Sequence, residues 1–259
     1  MINKLKELIA YRYTVTELVK RDLRGKYKGS VLGFLWNLVI PLCQILVYIM
    51  VFSQVMRYNI PNYYLFLVVA MMPWLTFSEC VQQGSSCIVS QSTLVSKIYF
   101  PNEILPLSTV TARFINLLLT FLIIFALIIL GGFGFNYVAL ACLPVVLLIH
   151  YILSLGMALL FSAVSVYLRD IQYILQVILS MGVWITPVLF EPSMVDGFIA
   201  TIMSINPMSP VILAYRDILY YQQFPNMADL GSIALFSVLL LVASELIFIK
   251  LESGFAEQI

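Results

Sequence analysis

Long apolar runs, broken at intervals by short polar stretches, set the pattern of this chain. From Gly29 to Met56 no residue is charged, and from Tyr63 to Ser90 only Glu79 is. Phe114 to Leu168 runs 55 residues without one Asp, Glu, Lys or Arg, divided by the turn-forming stretch Gly131-Gly132-Phe133-Gly134-Phe135-Asn136. Ile171 to Phe190 and Leu230 to Ile249 complete the series, the last holding Glu245. A helix crosses a bilayer in about 20 apolar residues at ~1.5 Å each. The runs therefore predict six spans, at 29–56, 63–90, 114–132, 138–166, 171–190 and 230–249. They must be helices, because open strands leave backbone polar groups unsatisfied in lipid. The expected fold is an all-α polytopic membrane protein with one transmembrane domain over 1–259.

Three segments are not simple spans. In the stretch 1–28, Thr14-Val15-Thr16-Glu17 has capping-box spacing, and Val15, Leu18, Val19 and Leu23 recur at helical spacing opposite Lys20, Arg21 and Arg24. That predicts an N-terminal amphipathic helix lying on the inner leaflet. The inner connection from about Gln91 to Ala112 is too long and polar for a turn, and predicts a short cytoplasmic helix, Thr93 to Tyr99. Phe100-Pro101 stops it, since the residue before a proline leaves the helical region. In the outer connection 191–229, Phe198 to Ile205 and Val211 to Tyr221 are too short to cross, and Asn206-Pro207-Met208-Ser209-Pro210 turns between them. Two outer re-entrant helices before the sixth span are expected.

Composition agrees with the pattern: hydrophobic residues make up 62% and charged residues 10%, and mean hydropathy is +1.00. A water-soluble domain, with about 25% charged residues, is excluded. The formal net charge of +1 conceals an asymmetry, since eight of the 14 bases lie in the first 28 residues. With Lys97, Arg113, Arg169 and Lys250 on the same side, twelve bases face inward and only Arg57 and Arg216 outward. The positive-inside rule then places both termini in the cytoplasm. The basic N-region leads into a full-length span, so no cleavable signal peptide is expected. Cys43, Cys80, Cys87 and Cys142 lie in apolar runs without metal-ligand spacing and read as buried thiols.

Polar side chains at helical spacing mark the faces turned from lipid. Asn37, Pro41, Gln44 and Tyr48 share one face of the first span; Thr76, Glu79, Gln83 and Ser86 share one of the second; Gln172, Gln176 and Ser180 share one of the fifth. Two readings fit: interhelical hydrogen bonds, worth about 0.6 kcal/mol each, or a wetted pathway. In the second, Trp36, Gln44, Tyr48, Trp74, Glu79 and Trp184 line a path on which aromatic faces stack against sugar rings, although interfacial aromatic belts account for many such residues. Glu79 is the strongest functional candidate, being ionisable and mid-span. His150, with Ser154 one turn on, reads as a hydrogen-bonded packing residue, and as the single histidine it excludes a His-based metal or catalytic pair. Arg21, Arg24, Lys26 and Lys28 either anchor the chain at the inner leaflet or also guide an anionic headgroup such as a pyrophosphate, at about 1 kcal/mol per base. Gly25-Lys26 lacks the GxxxxGK[ST] frame of a P-loop, so no ATP site is expected in this chain. Gly29 and Gly33 match GxxxG, a weak signal for close helix approach.

These features together resemble a known family. Val19-Lys20-Arg21-Asp22-Leu23-Arg24, Tyr27-Lys28-Gly29-Ser30-Val31-Leu32-Gly33-Phe34-Leu35-Trp36 and Pro41-Leu42 resemble the entry to the first span in permease subunits of type-2 ABC exporters for polysaccharides, including O-antigen, teichoic-acid and capsule exporters. Lys97-Ile98-Tyr99-Phe100-Pro101, Leu168-Arg169-Asp170, Asn206-Pro207 with Arg216, and Phe255-Ala256-Glu257 follow in the family's order over essentially the whole chain. The resemblance implies a homodimer bound to two ATP-binding cassette subunits, which hold ATP and magnesium. The same resemblance implies that a lipid-pyrophosphate-linked glycan passes between the permeases in the bacterial inner membrane. It further implies a coupling helix carrying Leu94, Lys97, Tyr99, Phe100 and Pro101, a second ATPase contact at Arg169 and Asp170, and a lateral gate formed by the first and fifth spans.

Other classes fit less well. Drug and lipid exporters share much of the layout and remain the alternative on substrate. An intramembrane glycosyl- or prenyl-transferase needs clustered acids for a metal and pyrophosphate, which the inner segments lack. A secondary transporter of the inverted-repeat type predicts matching halves, against the plain first outer loop and elaborate last one here. No catalytic residue, metal, resident cofactor or nucleic-acid partner is expected.

Overall fold

The computed structural model describes residues 10–25, 30, 32–55, 60–97 and 100–258. Lys26, Lys28 and Tyr99 lie outside the described residues, and Arg24 and Lys97 are described by backbone alone. Among the described residues the regular structure is entirely helical. In chain order come α1 (Arg12–Gly25), α2 (Trp36–Val55), α3 (Tyr63–Ser90), α4 (Ser92–Lys97), α5 (Ile104–Leu130), α6 (Tyr137–Leu140), α7 (Leu143–Tyr167), α8 (Ile171–Ile185), α9 (Gly197–Ile205), α10 (Met208–Leu219), α11 (Met227–Glu252) and α12 (Phe255–Gln258). Four of these units are long and apolar enough to cross a membrane: α3, α5, α6 with α7, and α11. The pair α9 and α10 is bent by 89°, and α2 and α8 carry shorter apolar stretches, Val39–Tyr48 and Ile171–Ile185.

α3 is the hub. Leu65 to Ala70 are six consecutive residues with no exposed surface, which a helix reaches only when neighbours cover every side. α2, α5, α7, α8 and α10 supply that cover, and α7 lies between α3 and α11. The α3–α7 approach depends on a missing side chain, since a Cβ at Gly84 would stand 2.5 Å from Ala158 Cβ. A second apolar cluster closes one end of the bundle, joining Leu18 of α1, Ile88 of α3, Ile104 and Leu105 of α5, and Phe248 and Phe255 beyond. The turn between α5 and α6 uses Gly132 at φ +74°, and the Asn136 side chain caps α6 by accepting from the amides of Val138 and Ala139.

Several boundaries differ from the sequence expectation. α5 begins at Ile104, ten residues before the apolar run that marked a span at 114, so Arg113 sits within a helix. α8 stops at Ile185 and not at 190, because Thr186 precedes Pro187 and takes extended backbone, φ −86° and ψ 146°. The non-helical residues that follow are buried, and side chains satisfy their carbonyls. Tyr63 donates to Leu189 O at 2.7 Å, and Arg216 donates to Val188 O at 3.0 Å and to Phe190 O at 3.4 Å. Asn206 donates to Thr186 Oγ1 at 2.7 Å, tying the α9–α10 bend to the same segment. Irregular backbone survives in an apolar setting only with such partners.

The N-terminal helix also departs from expectation. α1 starts at Arg12, which puts Thr14 inside it and leaves the capping box unformed; the Glu17 carboxylate instead pairs with Lys20 at 2.8 Å. Leu18 and Val19 are buried in the protein, and α1 packs on α5, so its apolar face meets the chain itself. Gly33 sits in a 3-10 turn before α2 at φ +47°, a conformation that suits glycine, and not within a helix as a GxxxG contact requires. Cys80 and Cys87 are buried, but Cys43 is exposed and Cys142 intermediate. His150 is fully buried, and its Nδ1 meets Tyr215 OH at 3.2 Å, not Ser154.

Candidate functional site

Three helices frame one concavity. Between α2, α3 and α8 lies a cleft of about 380 Å³, lined by Tyr48, by Trp74, Ser78, Glu79, Gln82 and Gln83, and by Gln176 and Ser180 among others. A smaller recess of about 70 Å³ lies between α2, α3 and α5, with Trp36, Gln44, Thr76, Glu79, Arg113 and Asn116 in its wall. Glu79 and Leu75 line both.

The polar stripes therefore converge. Gln83 and Glu79 of α3 face Gln176 and Ser180 of α8 across the cleft, with Tyr48 of α2 completing the wall. The stripe on α3 turns inward because residues spaced by three or four share a helix face. Gln82 donates through Nε2 to the Gln172 carbonyl at 3.1 Å, holding α8 against α3. The Gln82 Oε1 and Ser78 Oγ atoms are buried without a hydrogen-bond partner among the described residues. The lining mixes these amide and hydroxyl groups with the aromatic Tyr48 and Trp74 and with the aliphatic Met71, Leu75, Leu179 and Val183, so it offers both hydrogen-bonding and apolar surface to a ligand.

The expected pathway residues separate into three places. Tyr48, Trp74 and Glu79 line the cleft. Trp36, Gln44 and Glu79 line the smaller recess, where Trp36 Nε1 donates to Ser30 Oγ at 2.8 Å. Trp184 of α8 is 61% exposed and lines neither. Trp74 is mostly a wall residue, 4% exposed; a Cβ at Gly182 would stand 2.7 Å from its ring, so Gly182 is what lets α8 close over the indole.

At the other expected sites the result is mixed. Arg21 donates to the Gln91 carboxamide at the end of α3 and is otherwise exposed. Arg169 and Asp170 stand exposed in the turn between α7 and α8. Leu94 packs partly against the apolar cluster at that end of the bundle. Phe100, which the resemblance assigns to the coupling helix, is 8% exposed and buried in the same cluster as Leu18, Ile104 and Phe255, and Pro101 is buried with it. The C-terminal segment joins the same cluster. Phe255 packs edge-on to Phe248 with centroids 5.5 Å apart, and Glu252 accepts from Asn102 Nδ2 at 3.0 Å.

Two ionic residues were missed as site components. Arg113, 5% exposed, donates from Nη2 to Asp22 Oδ2 of α1 at 2.7 Å, and its Nη1 lies 3.8 Å from Glu79 Oε2. The signal was present as a fourth polar stripe, Arg113, Asn116 and Thr120, all of which line the smaller recess. Asp22 was hidden among the bases around it. On the far side of the bundle Tyr221 donates to Glu191 Oε1 at 2.5 Å. Burial, then that hydrogen bond, raises the phenol above its ordinary range, so it remains a donor. Among the described residues no three His, Cys, Asp or Glu side chains group as a metal site.

Comparison with known proteins adds the following. A family model described as ABC-2 type transporter matches residues 13–220. The chain is 36% identical over 262 residues to the O-antigen export system permease protein RfbA of Myxococcus xanthus, covering 100% of both. It is 27% identical over 255 residues to RfbA of Klebsiella pneumoniae, covering 98% of each. It is 22% identical over 236 residues to the polysialic acid transport protein KpsM of Escherichia coli, covering 89% of this chain and 90% of that one.

Proposed function

Because the chain belongs to the ABC-2 type transporter family, we propose that it is the membrane-spanning subunit of an ATP-driven exporter that moves a lipid-pyrophosphate-linked polysaccharide across the bacterial inner membrane. In this reading two copies assemble with two ATP-binding cassette subunits, which hold ATP and magnesium, and this chain catalyses nothing itself. What carries the substrate class is the likeness to polysaccharide exporters over the whole chain, and the candidate path is the cleft, where Gln82, Gln83, Gln176 and Ser180 stand beside Tyr48, Met71, Leu75, Leu179 and Val183. The relatives named for O-antigen and polysialic acid support the same class.

The proposed membrane arrangement has six spans, namely α2, α3, α5, α6 with α7, α8 extended by the residues after it, and α11. The bent pair α9 and α10 enters and leaves the outer leaflet. Both termini lie in the cytoplasm, an orientation supported by the inward bias of Lys and Arg. Arg113, engaged inside α5, is left out of that argument. Arg21, Arg24, Lys26 and Lys28 meet the anionic headgroup. α4 with Leu94 and Lys97, together with the exposed Arg169-Asp170 turn, meets the ATPase.

Export of surface polysaccharide by cells that depend on this permease tests the cleft. Tyr48→Ala and Gln83→Ala should each lower export while membrane level and ATPase retention stay normal. An aromatic contact is worth roughly 0.5–1.5 kcal/mol, so single losses should be partial and the double variant worse. Normal export from the double variant would remove the cleft from the pathway.

A further inference from the structure

One arginine joins the N-terminal helix to the cleft. Arg113 lies well inside α5, and its two terminal nitrogens point to carboxylates on different helices: to Asp22 of α1 at 2.7 Å and to Glu79 of α3 at 3.8 Å. The guanidinium is 5% exposed, whereas the Asp22 and Glu79 side chains are 40% and 50% exposed. Arginine does not lose its proton in proteins. A buried cation left without a paired anion is strongly unfavourable, so Arg113 must keep at least one of the two carboxylates. At present Asp22 holds it closely, and Glu79, which lines both recesses, stands beyond hydrogen-bond reach.

We infer that Arg113 is a positioning residue for transport, exchanging its close bond between Asp22 and Glu79 so that displacement of α1 draws the Glu79 carboxylate out of the cleft. The inference rests on reading that cleft as the glycan path. Nothing covalent changes. While α1 is seated, Asp22 satisfies Arg113 and Glu79 remains an acceptor for ligand hydroxyls. When α1 moves, the buried guanidinium closes on Glu79, and the cleft loses its one carboxylate. α1 is the element suited to start the exchange, because it packs on α5 through Leu18 and Val19 and presents Glu17, Lys20 and Arg21 on its exposed face.

The test uses the permease with its ATPase, in cells that need it for surface polysaccharide and in purified form. Asp22→Asn should leave membrane level, ATPase retention and melting temperature near normal but lower export at least about fivefold, the lower end of coupling between sites. Arg113 would then be fixed on Glu79. Arg113→Gln added to Asp22→Asn should recover part of that export, because no buried cation is left to capture Glu79, and Asp22→Glu should export almost normally. If Asp22→Asn is lost from the membrane, or if adding Arg113→Gln deepens the defect, the pair is merely structural and the inference is overturned. If this pattern holds while Tyr48→Ala with Gln83→Ala exports normally, the exchange stands and the assignment of the cleft as glycan path fails.

Discussion

The Arg216 guanidinium carbon lies 3.5 Å from the centroid of the Phe66 ring. Phe66 is fully buried in the central helix, and Arg216 is 1% exposed and makes no salt bridge among the described residues. Its charge is instead met by the ring face and by the carbonyls of Val188 and Phe190, an arrangement in which cation–π attraction and charge-assisted hydrogen bonds replace a carboxylate. The residue thereby pins the non-helical stretch after α8 to both α3 and α10.

Arg216→Met should accordingly cost roughly 2–5 kcal/mol of stability, since each of two carbonyls left without a donor costs ~1–3 kcal/mol. Arg216→Lys should recover only part, because an ammonium lacks the planar fork that reaches both carbonyls and stacks on the ring. Thermal unfolding of the detergent-solubilised protein measures both. A melting temperature unchanged by the methionine would show that the stretch after Ile185 holds without this pin.

The contact between α3 and α7 gives a second prediction. A methyl group at Gly84 would lie 2.5 Å from Ala158 Cβ and 3.1 Å from its Cα, and the backbone atom cannot rotate away. Gly84→Ala should destabilise the bundle by about 1–3 kcal/mol, as overpacking of a close-packed interior does. Gly84→Ala with Ala158→Gly should regain most of the loss, because it returns one methyl to the same gap. Failure of the double variant to recover would place the role of Gly84 in something other than helix approach.

The proposed orientation is open to chemical labelling. In a background lacking Cys43, Cys80, Cys87 and Cys142, Asp170→Cys and Gln258→Cys should react with an impermeant thiol reagent only after the cytoplasmic side is opened, and Asp196→Cys should react in intact cells. All three residues lie in exposed positions of the chain. Labelling of Asp170→Cys from outside would reverse the topology.

Elements carried by local chemistry were legible in the sequence, and contacts between distant segments were not. The glycine-rich turn at 131–136 and the Asn206-Pro207 bend follow from residues within a few positions of each other, and both stand in the structure. The end of α8 was equally local: Pro187 forbids helix at Thr186, a signal that the unbroken apolar run concealed. The pairing of Arg113 with Asp22 and Glu79 was not legible, because the three residues lie on helices far apart in the sequence. The cleft was partly legible, since the α3 and α8 stripes face each other. That Trp184 would stand outside it depends on the rotation of α8, which Gly182 against Trp74 determines.

Phe100 shows the same limit with a functional consequence. Its aromatic ring beside a proline stop looks like an anchor for a partner's groove, but it is already buried in a cluster that draws Leu18 and Phe255 from both ends of the chain. Phe100→Asp should therefore bury an unpaired charge within the permease itself and reduce its membrane level and melting temperature, a cost of several kcal/mol before any docking is considered. Arg169→Glu changes a residue of the exposed turn between α7 and α8. It should leave folding intact and, if that turn meets the ATPase, weaken retention of the ATPase in a manner that depends on salt, as rim charges do. The decisive comparison is co-purification of the ATPase with each variant, normalised to permease recovered. If Phe100→Asp accumulates normally and loses only the ATPase, its ring leaves the internal cluster during assembly. If Arg169→Glu retains the ATPase at all salt concentrations, the turn is not part of the contact.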